Sequence, residues 1–276
     1  MLRPQWVAKI IVNRILKRVL ILLCVLATPT VAQDDVAEFK KRAAQLAGQR
    51  LGGGDADRSV QDAALRILDA RVCRELAAPG SVSLDAINGR LAELVTQDPP
   101  LGESYRVVSV AAPRLYVLVA NLSLAGPAAL RLYARDEPTT PGKKEQTATC
   151  RLVAQIDRFT QPDFFDENLD VVPVSAVTAA EAEAVFVTVS GRTDELRTGA
   201  FAAWRFHQGR LEMLWASDIL QDSSYEAAPD GFHLTFCSEP DEVRPRVCRR
   251  VVRERYAWQS GAWSRTEQTD VPIRKP

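Results

Sequence analysis

The densest group of side chains able to do chemistry is Pro162-Asp163-Phe164-Phe165-Asp166-Glu167-Asn168-Leu169-Asp170, which carries four carboxylates. Carboxylate and amide oxygens are the hard ligands that calcium takes, so Asp163, Asp166, Glu167 and Asp170 are the candidate metal ligands and calcium the one cofactor to consider. Their spacing fits no EF-hand loop, and a polar connection anchored by Phe164 and Phe165 explains the segment without a metal. Two acids facing each other across a cleft would suit glycoside hydrolysis, a separation that only a fold can set. His207 and His233 are the only histidines. Neither adjoins a nucleophile motif: Gly-x-Ser-x-Gly and His-Glu-x-x-His are both absent, so the two read as surface or structural side chains. The loop from Ser190 to Gly199 holds Arg192 and Arg197 beside Asp194 and Glu195. Arginines can hold an anion, but internal pairing within a hairpin loop accounts for them as well. Gly52-Gly53-Gly54 follows a helical pattern and lacks a Gly-Lys-Ser or Gly-Lys-Thr, so it reads as a linker and not a phosphate cradle. Asn121-Leu122-Ser123 matches a glycosylation sequon.

These groups sit in a chain of 276 residues, 46% hydrophobic and 25% charged. That balance excludes collagenous, disordered and multi-span membrane classes. Thirty-five basic residues match thirty-five acidic ones, which leaves no long-range field to favour a nucleic-acid partner. Residues 1–32 contain Arg3, Lys9, Arg14, Lys17 and Arg18, no acid, and the apolar run Val19 to Ala27. A basic segment, an apolar segment and Thr30-Val31-Ala32 together predict a signal peptide cleaved after Ala32. The fifteen uncharged residues between Arg18 and Asp34 are too few for a span, which needs about 20. The mature chain is then expected in the periplasm or outside the cell, without a membrane span. Cleavage removes Cys24 and leaves Cys73, Cys150, Cys237 and Cys248 to enter an oxidising compartment. Two disulfides are expected, and proximity in sequence pairs Cys237 with Cys248, leaving Cys73 with Cys150. A metal site is disfavoured, because no C-x-x-C pair is present.

The elements that must position these residues divide into two regions. Of nineteen aromatic residues, seventeen lie in 105–276. Upstream, residues 33–100 form a helical segment. Val36, Phe39, Ala43 and Leu46 predict a first helix over 35–50, and Val60, Ala64, Ile67, Leu68, Val72 and Leu76 a second that Pro79-Gly80 stops. A third follows Ser83 as cap, with Leu84, Ile87, Leu91, Leu94 and Val95 on one face. From 101 to 276 the period changes to two, which predicts an antiparallel β domain. Candidate strands are 105–111, 115–121, 128–135, 147–157, 184–190, 200–207, 210–217, 231–237, 246–258 and 262–269. With Gln208-Gly209 as a two-residue turn, Phe206 faces Leu211, Trp204 faces Met213 and Ala202 faces Trp215 on a core side, while Arg205 faces Glu212 on the other. A second copy lies 52 residues later, where Tyr256-Ala257-Trp258-Gln259-Ser260-Gly261-Ala262-Trp263 aligns with Trp204 to Leu211. Its register sets Trp258 against Trp263, Tyr256 against Arg265 and Glu254 against Glu267, a less buried hairpin near a sheet edge.

The repeat of aromatic-x-aromatic-x-x-Gly-x-apolar resembles the hairpins of FG-GAP or VCBS-type propeller repeats over residues 185–269. Such repeats imply calcium held by a D-x-D-x-D-G-like loop, and no such loop occurs here. The residues after 104 supply about three blades, below the ~4 needed for closure, so a sandwich is the competing architecture. The fold class expected is therefore α+β, an N-terminal helical segment followed by antiparallel hairpins in propeller-like or sandwich-like sheets. The function expected is an exported, non-enzymatic binding or structural module of unknown ligand, with a cell-envelope component as one candidate partner; a third alternative is a subunit of a cell-envelope assembly that uses the helical segment as its docking face. The competing function is an exported carboxylate-dependent hydrolase acting on glycan or peptide.

Overall fold

The computed structural model describes residues 30–51, 58–94, 104–111, 114–122, 128–137, 148–159, 168–174, 183–191, 198–228, 230–241, 243–244 and 247–272. Three helices come first: α1 (Thr30–Leu51), α2 (Arg58–Leu76) and α3 (Leu84–Ala92). The helical stripes are buried as their spacing requires, with Phe39, Ala43 and Leu46 on α1 and Ala64, Leu65, Leu68, Val72 and Leu76 on α2. Ser83 caps α3, its Oγ accepting from the Ala86 N–H at 3.3 Å. The first helix starts earlier than its apolar stripe suggests, so the expected cleavage point after Ala32 falls within its first turn. Residues 1–29 lie outside the described set.

The helices cover one face of a four-stranded antiparallel sheet, β1 (Ser104–Ala111), β2 (Leu115–Asn121), β3 (Ala128–Asp136) and β4 (Thr149–Phe159), ordered as in the chain. Tyr105, Val107, Tyr116, Leu118 and Tyr133 meet the helices. Val117, Val119, Leu130 and Leu132 point the other way, so β2 and β3 are buried on both sides and read as near-continuous apolar runs. Polar anchors fix the helical layer. Asp69 of α2 accepts from the Tyr133 hydroxyl at 2.6 Å and from Arg131 at 2.6 Å. Burial pushes the Tyr133 phenol well above its ordinary value, so it stays the donor in that bond. Arg135 donates to the carbonyls of Leu76 at 2.7 Å and Gly80 at 2.9 Å, ending α2 on the sheet. The Cys73–Cys150 disulfide joins α2 to β4 across 5.1 Å between Cα atoms.

The second sheet has eight strands: β5 (Asn168–Pro173), β6 (Ala184–Gly191), β7 (Thr198–His207), β8 (Arg210–Ala216), β9 (Leu220–Ala228), β10 (Gly231–Pro240), β11 (Cys248–Gln259) and β12 (Ala262–Val271). Their order is β12-β11-β10-β9-β7-β6-β5, with β8 alongside the other half of β7. Leu169, Val171, Phe186, Trp204 and Phe206 close one face against the four-stranded sheet. On the opposite face Val185, Val187, Phe201 and Ala203 share a core with Phe232 and Leu234, so β9 to β12 fold back across β6 and β7. Helices on a sheet, and that sheet on a second, make an α+β, β-rich fold.

Both two-residue turns form as expected, with positive φ at Gln208 (49°), Gly209 (74°), Ser260 (52°) and Gly261 (80°). Three details of the expected hairpins are corrected. Leu214 bulges out of β8, so Trp215 faces Ala203 and Ala202 faces Ala216. Met213 does face Trp204, but it is 56% exposed and belongs to no core. Thr266 bulges out of β12, so Glu254 faces Gln268 while Arg255 faces Glu267. Glu254 is buried and accepts from the Tyr256 hydroxyl at 2.8 Å and from Arg265. The second hairpin does carry a sheet edge, since β12 ends the strand order. The Cys237–Cys248 disulfide closes the β10–β11 connection. Two strands are absent from the candidate set, β5 and β9. β5 continues a segment read as an acidic loop, and β9, with sequence LQDSSYEAA, hides its alternation among small polar residues.

Candidate functional site

The acidic run does not assemble a site among the described residues. Asp163, Asp166 and Glu167 lie outside them. Asp170 is a strand residue on β5 whose two oxygens accept from Arg106 at 2.9 Å each, which makes it a link between the two sheets. Asn121 is buried, and its amide nitrogen donates to Ser104 Oγ at 2.6 Å, so the nitrogen that a glycan would join is covered in the folded chain. His207 stands at the hairpin end opposite Arg210, as its register predicts. Arg192 and Arg197 fall outside the described residues, as do Asp194 and Glu195. No group of three or more His, Cys, Asp or Glu side chains among the described residues is placed to hold a metal ion.

A different set of residues converges on the outer face of β9 to β12. Two rows run across these strands. In the first, Glu226, His233, Arg255 and Glu267 stand side by side. In the second, Ser224, Thr235, Arg253 and Thr269 do the same. Strand alternation forces this arrangement, because Phe232, Leu234 and Tyr256 point the opposite way into the aromatic core. Phe232 lies 5.1 Å from Tyr256 and 5.5 Å from Tyr225 between ring centroids, so the strands are held from beneath by packed rings. Burial pushes the Tyr225 phenol up to about 12. Gly231 allows the strands to close here, since a Cβ at that position would lie 1.9 Å from the Tyr256 carbonyl oxygen.

His233, Arg253, Arg255, Glu267 and Thr269 line a concavity of about 320 Å³. Its cations are fixed by acids at its margin. Arg253 donates to Glu226 at 2.7 Å, reaching across β10 to do so. Arg255 donates to both oxygens of Asp230 at 2.8 and 2.6 Å. The hydrogen bond from Arg255 holds the Asp230 carboxyl below its ordinary range, and the same bond raises the guanidinium. His233 sits on β10, two strands from Glu267 and Thr269 on β12, a backbone separation of roughly 9 to 10 Å. No side-chain hydrogen bond joins it to either, so the three do not form a base and nucleophile pair. Arg253 and Arg255 look in sequence like ordinary alternating surface residues. Only the pairing of four strands brings them beside His233 and Glu267.

The chain is thus an α+β, β-rich protein whose helices layer on one sheet of a two-sheet stack, with a polar concavity on the outer surface of the second. It matches no protein-family model, and neither a curated protein nor a solved structure matches it.

Proposed function

We propose that the chain is an exported, non-enzymatic binding module that presents the outer face of β10 to β12 to a cell-envelope component. The observation that carries this reading is the concavity itself. At about 320 Å³ it is at the small end of ligand pockets, and its side chains stand on strands, not on loops. Ion pairs from Glu226 and Asp230 hold its two arginines before any ligand arrives, which lowers the ordering cost of binding. The pattern of residues 1–32 and two formed disulfides support export. Among the described residues no helix is long and apolar enough to cross a membrane. Hydrolysis through the acids at 163–170 draws no support from Asp170, which Arg106 occupies.

The test is to titrate the chain with soluble fragments of cell-envelope glycan and peptide while following backbone amide shifts and, by mass spectrometry, any product. Shifts confined to β10, β11 and β12 without turnover are expected. Product formation would favour the hydrolase, and shifts clustered elsewhere would overturn the choice of face.

A further inference from the structure

We propose that a second copy of this chain pairs along β12, the two edges running antiparallel about a two-fold axis at Gln268, so that one sheet continues across both copies. The inference is independent of which ligand the concavity takes. β12 ends the strand order, and among the described residues only β11 pairs with it. Its free edge therefore presents a row of unpaired N–H and C=O groups, a template for a further strand. Six consecutive residues, Arg265 to Asp270, are exposed, so β8, which approaches β12 without pairing to it, leaves them uncovered.

The side chains of this edge decide which strand fits it. A two-fold axis normal to the sheet keeps every side chain on its own face, so residues opposed across the axis must share a face. Pairing with β11 fixes those faces. Glu267, Thr269 and Val271 oppose Arg255, Arg253 and Val251 on the outer side, while Arg265, Gln268 and Asp270 oppose Tyr256, Glu254 and Val252 on the inner side. The bulge at Thr266 is what brings Arg265 to the inner side with Asp270. With Gln268 on the axis, Asp270 faces the partner's Arg265, Thr269 faces the partner's Glu267, and each contact occurs twice by symmetry. The other centres fail. An axis at Arg265, Glu267 or Asp270 opposes like charges, and one at Thr269 sets Asp270 against Gln268 and leaves Arg265 without an acid.

The chain's own ion pairs extend across the axis instead of competing with it. Arg265 donates one N–H to Glu254, and Asp270 accepts through Oδ1 from Arg250 at 2.9 Å. An arginine has further N–H groups and a carboxylate a second oxygen, so Glu254, Arg265, the partner's Asp270 and the partner's Arg250 form a ladder of alternating charge. Such exposed pairs choose the register, while backbone hydrogen bonds hold the strands.

The experiment is sedimentation velocity on the full chain, joined to cross-linking from the axis. An interface of ten strand residues per copy is small and transient, so monomer should convert to dimer between roughly 1 and 300 µM. Asp270→Arg sets like charges against each other at both symmetric positions and should raise the dimer dissociation constant about tenfold. Within one chain it loses only an exposed pair with Arg250, and circular dichroism would verify the fold. Gln268→Cys places thiols on directly opposed residues, whose Cα atoms stand about 4.5 to 5.5 Å apart, so mild oxidation should link two copies through residue 268. Ser264→Cys, opposed to the partner's Val271, should stay unlinked. A monomer throughout that concentration range, a dimer that Asp270→Arg does not weaken, or linkage at residue 264 equal to that at 268 would each overturn the pairing.

Discussion

Replacing Trp204 by Ala tests the contact between the two sheets. Trp204 lies on β7 opposite Phe186, only 9% exposed, in the layer that also holds Leu130, Leu132 and Phe206. The indole fills space that neighbours on two rigid sheets cannot collapse into, so its removal loses transfer free energy and leaves a cavity. The expected loss is about 3 to 5 kcal/mol. Its Nε1 also donates to Thr188 Oγ1 at 3.0 Å, and that hydroxyl in turn donates to the Ala202 carbonyl at 3.2 Å. Thr188 keeps the second bond in the variant, so the missing hydrogen bond adds on the order of 1 kcal/mol at most. Arg205, the next residue, points to the other face and pairs with Glu212 at 2.7 Å. Glu212 returns to water when Arg205 is truncated, so Arg205→Ala should destabilise several times less. Urea unfolding followed by far-ultraviolet circular dichroism measures both, with Trp204→Phe expected between them. Equal losses for Trp204→Ala and Arg205→Ala, or a Trp204→Ala loss below about 1 kcal/mol, would refute the placement of Trp204 between the sheets.

The two disulfides should differ in weight. Chain entropy assigns about 4.5 kcal/mol to a bridge spanning 77 residues and about 2.8 kcal/mol to one spanning 11, so Cys73→Ser/Cys150→Ser should lower the urea midpoint more than Cys237→Ser/Cys248→Ser. A larger loss from the shorter bridge would show that the unfolded-state entropy does not decide their contributions. Acid should weaken the β10–β11 connection. The Asp241 carboxylate accepts from the backbone N–H of Arg244 at 2.9 Å and of Val243 at 3.0 Å and from Arg249 at 3.1 Å, and these bonds, that from Arg244 foremost, hold its carboxyl below the ordinary 3.8. A depressed folded-state value contributes stability above pH 3.8 that is lost as the pH falls below it toward the folded value. Asp241→Asn should therefore lose less stability between pH 5 and about pH 3 than the parent chain, and parallel pH profiles would contradict the assignment.

The helices were legible because the signal is local. An apolar residue every three or four positions, a Ser at the cap and Pro79-Gly80 beyond the end are read within one segment, and α2 begins and stops accordingly, while α3 begins after Ser83 but ends at Ala92, short of the Leu94 and Val95 that its expected stripe includes. Both hairpin turns were legible for a related reason: Gln208-Gly209 and Ser260-Gly261 each place a Gly second in a two-residue turn, where positive φ is demanded. The disulfide pairing followed from proximity and from the even count that remains once Cys24 is set aside with the expected signal peptide. β9 was not legible, since Leu220 and Tyr225 are its only large apolar side chains and its strand character comes from pairing with β10 on one side and the start of β7 on the other.

Tertiary structure alone decided the rest. A bulge depends on what the partner strand must pack, so Leu214 and Thr266 give no sign in sequence that they will leave the ladder. One such bulge moves Glu254 away from Glu267 and brings Arg255 to it. The candidate site is a further step removed. It gathers residues from positions 226 to 269 onto four adjacent strands, and its chemistry turns on which of two carboxylates captures Arg255. Asp230, at the turn before β10, takes the guanidinium with both oxygens, and Glu267 is left facing the concavity. Sequence period determines which face of a strand a side chain occupies. Which neighbours it meets there is set by strand order, register and the reach of each side chain, and these exist only once the sheet has formed.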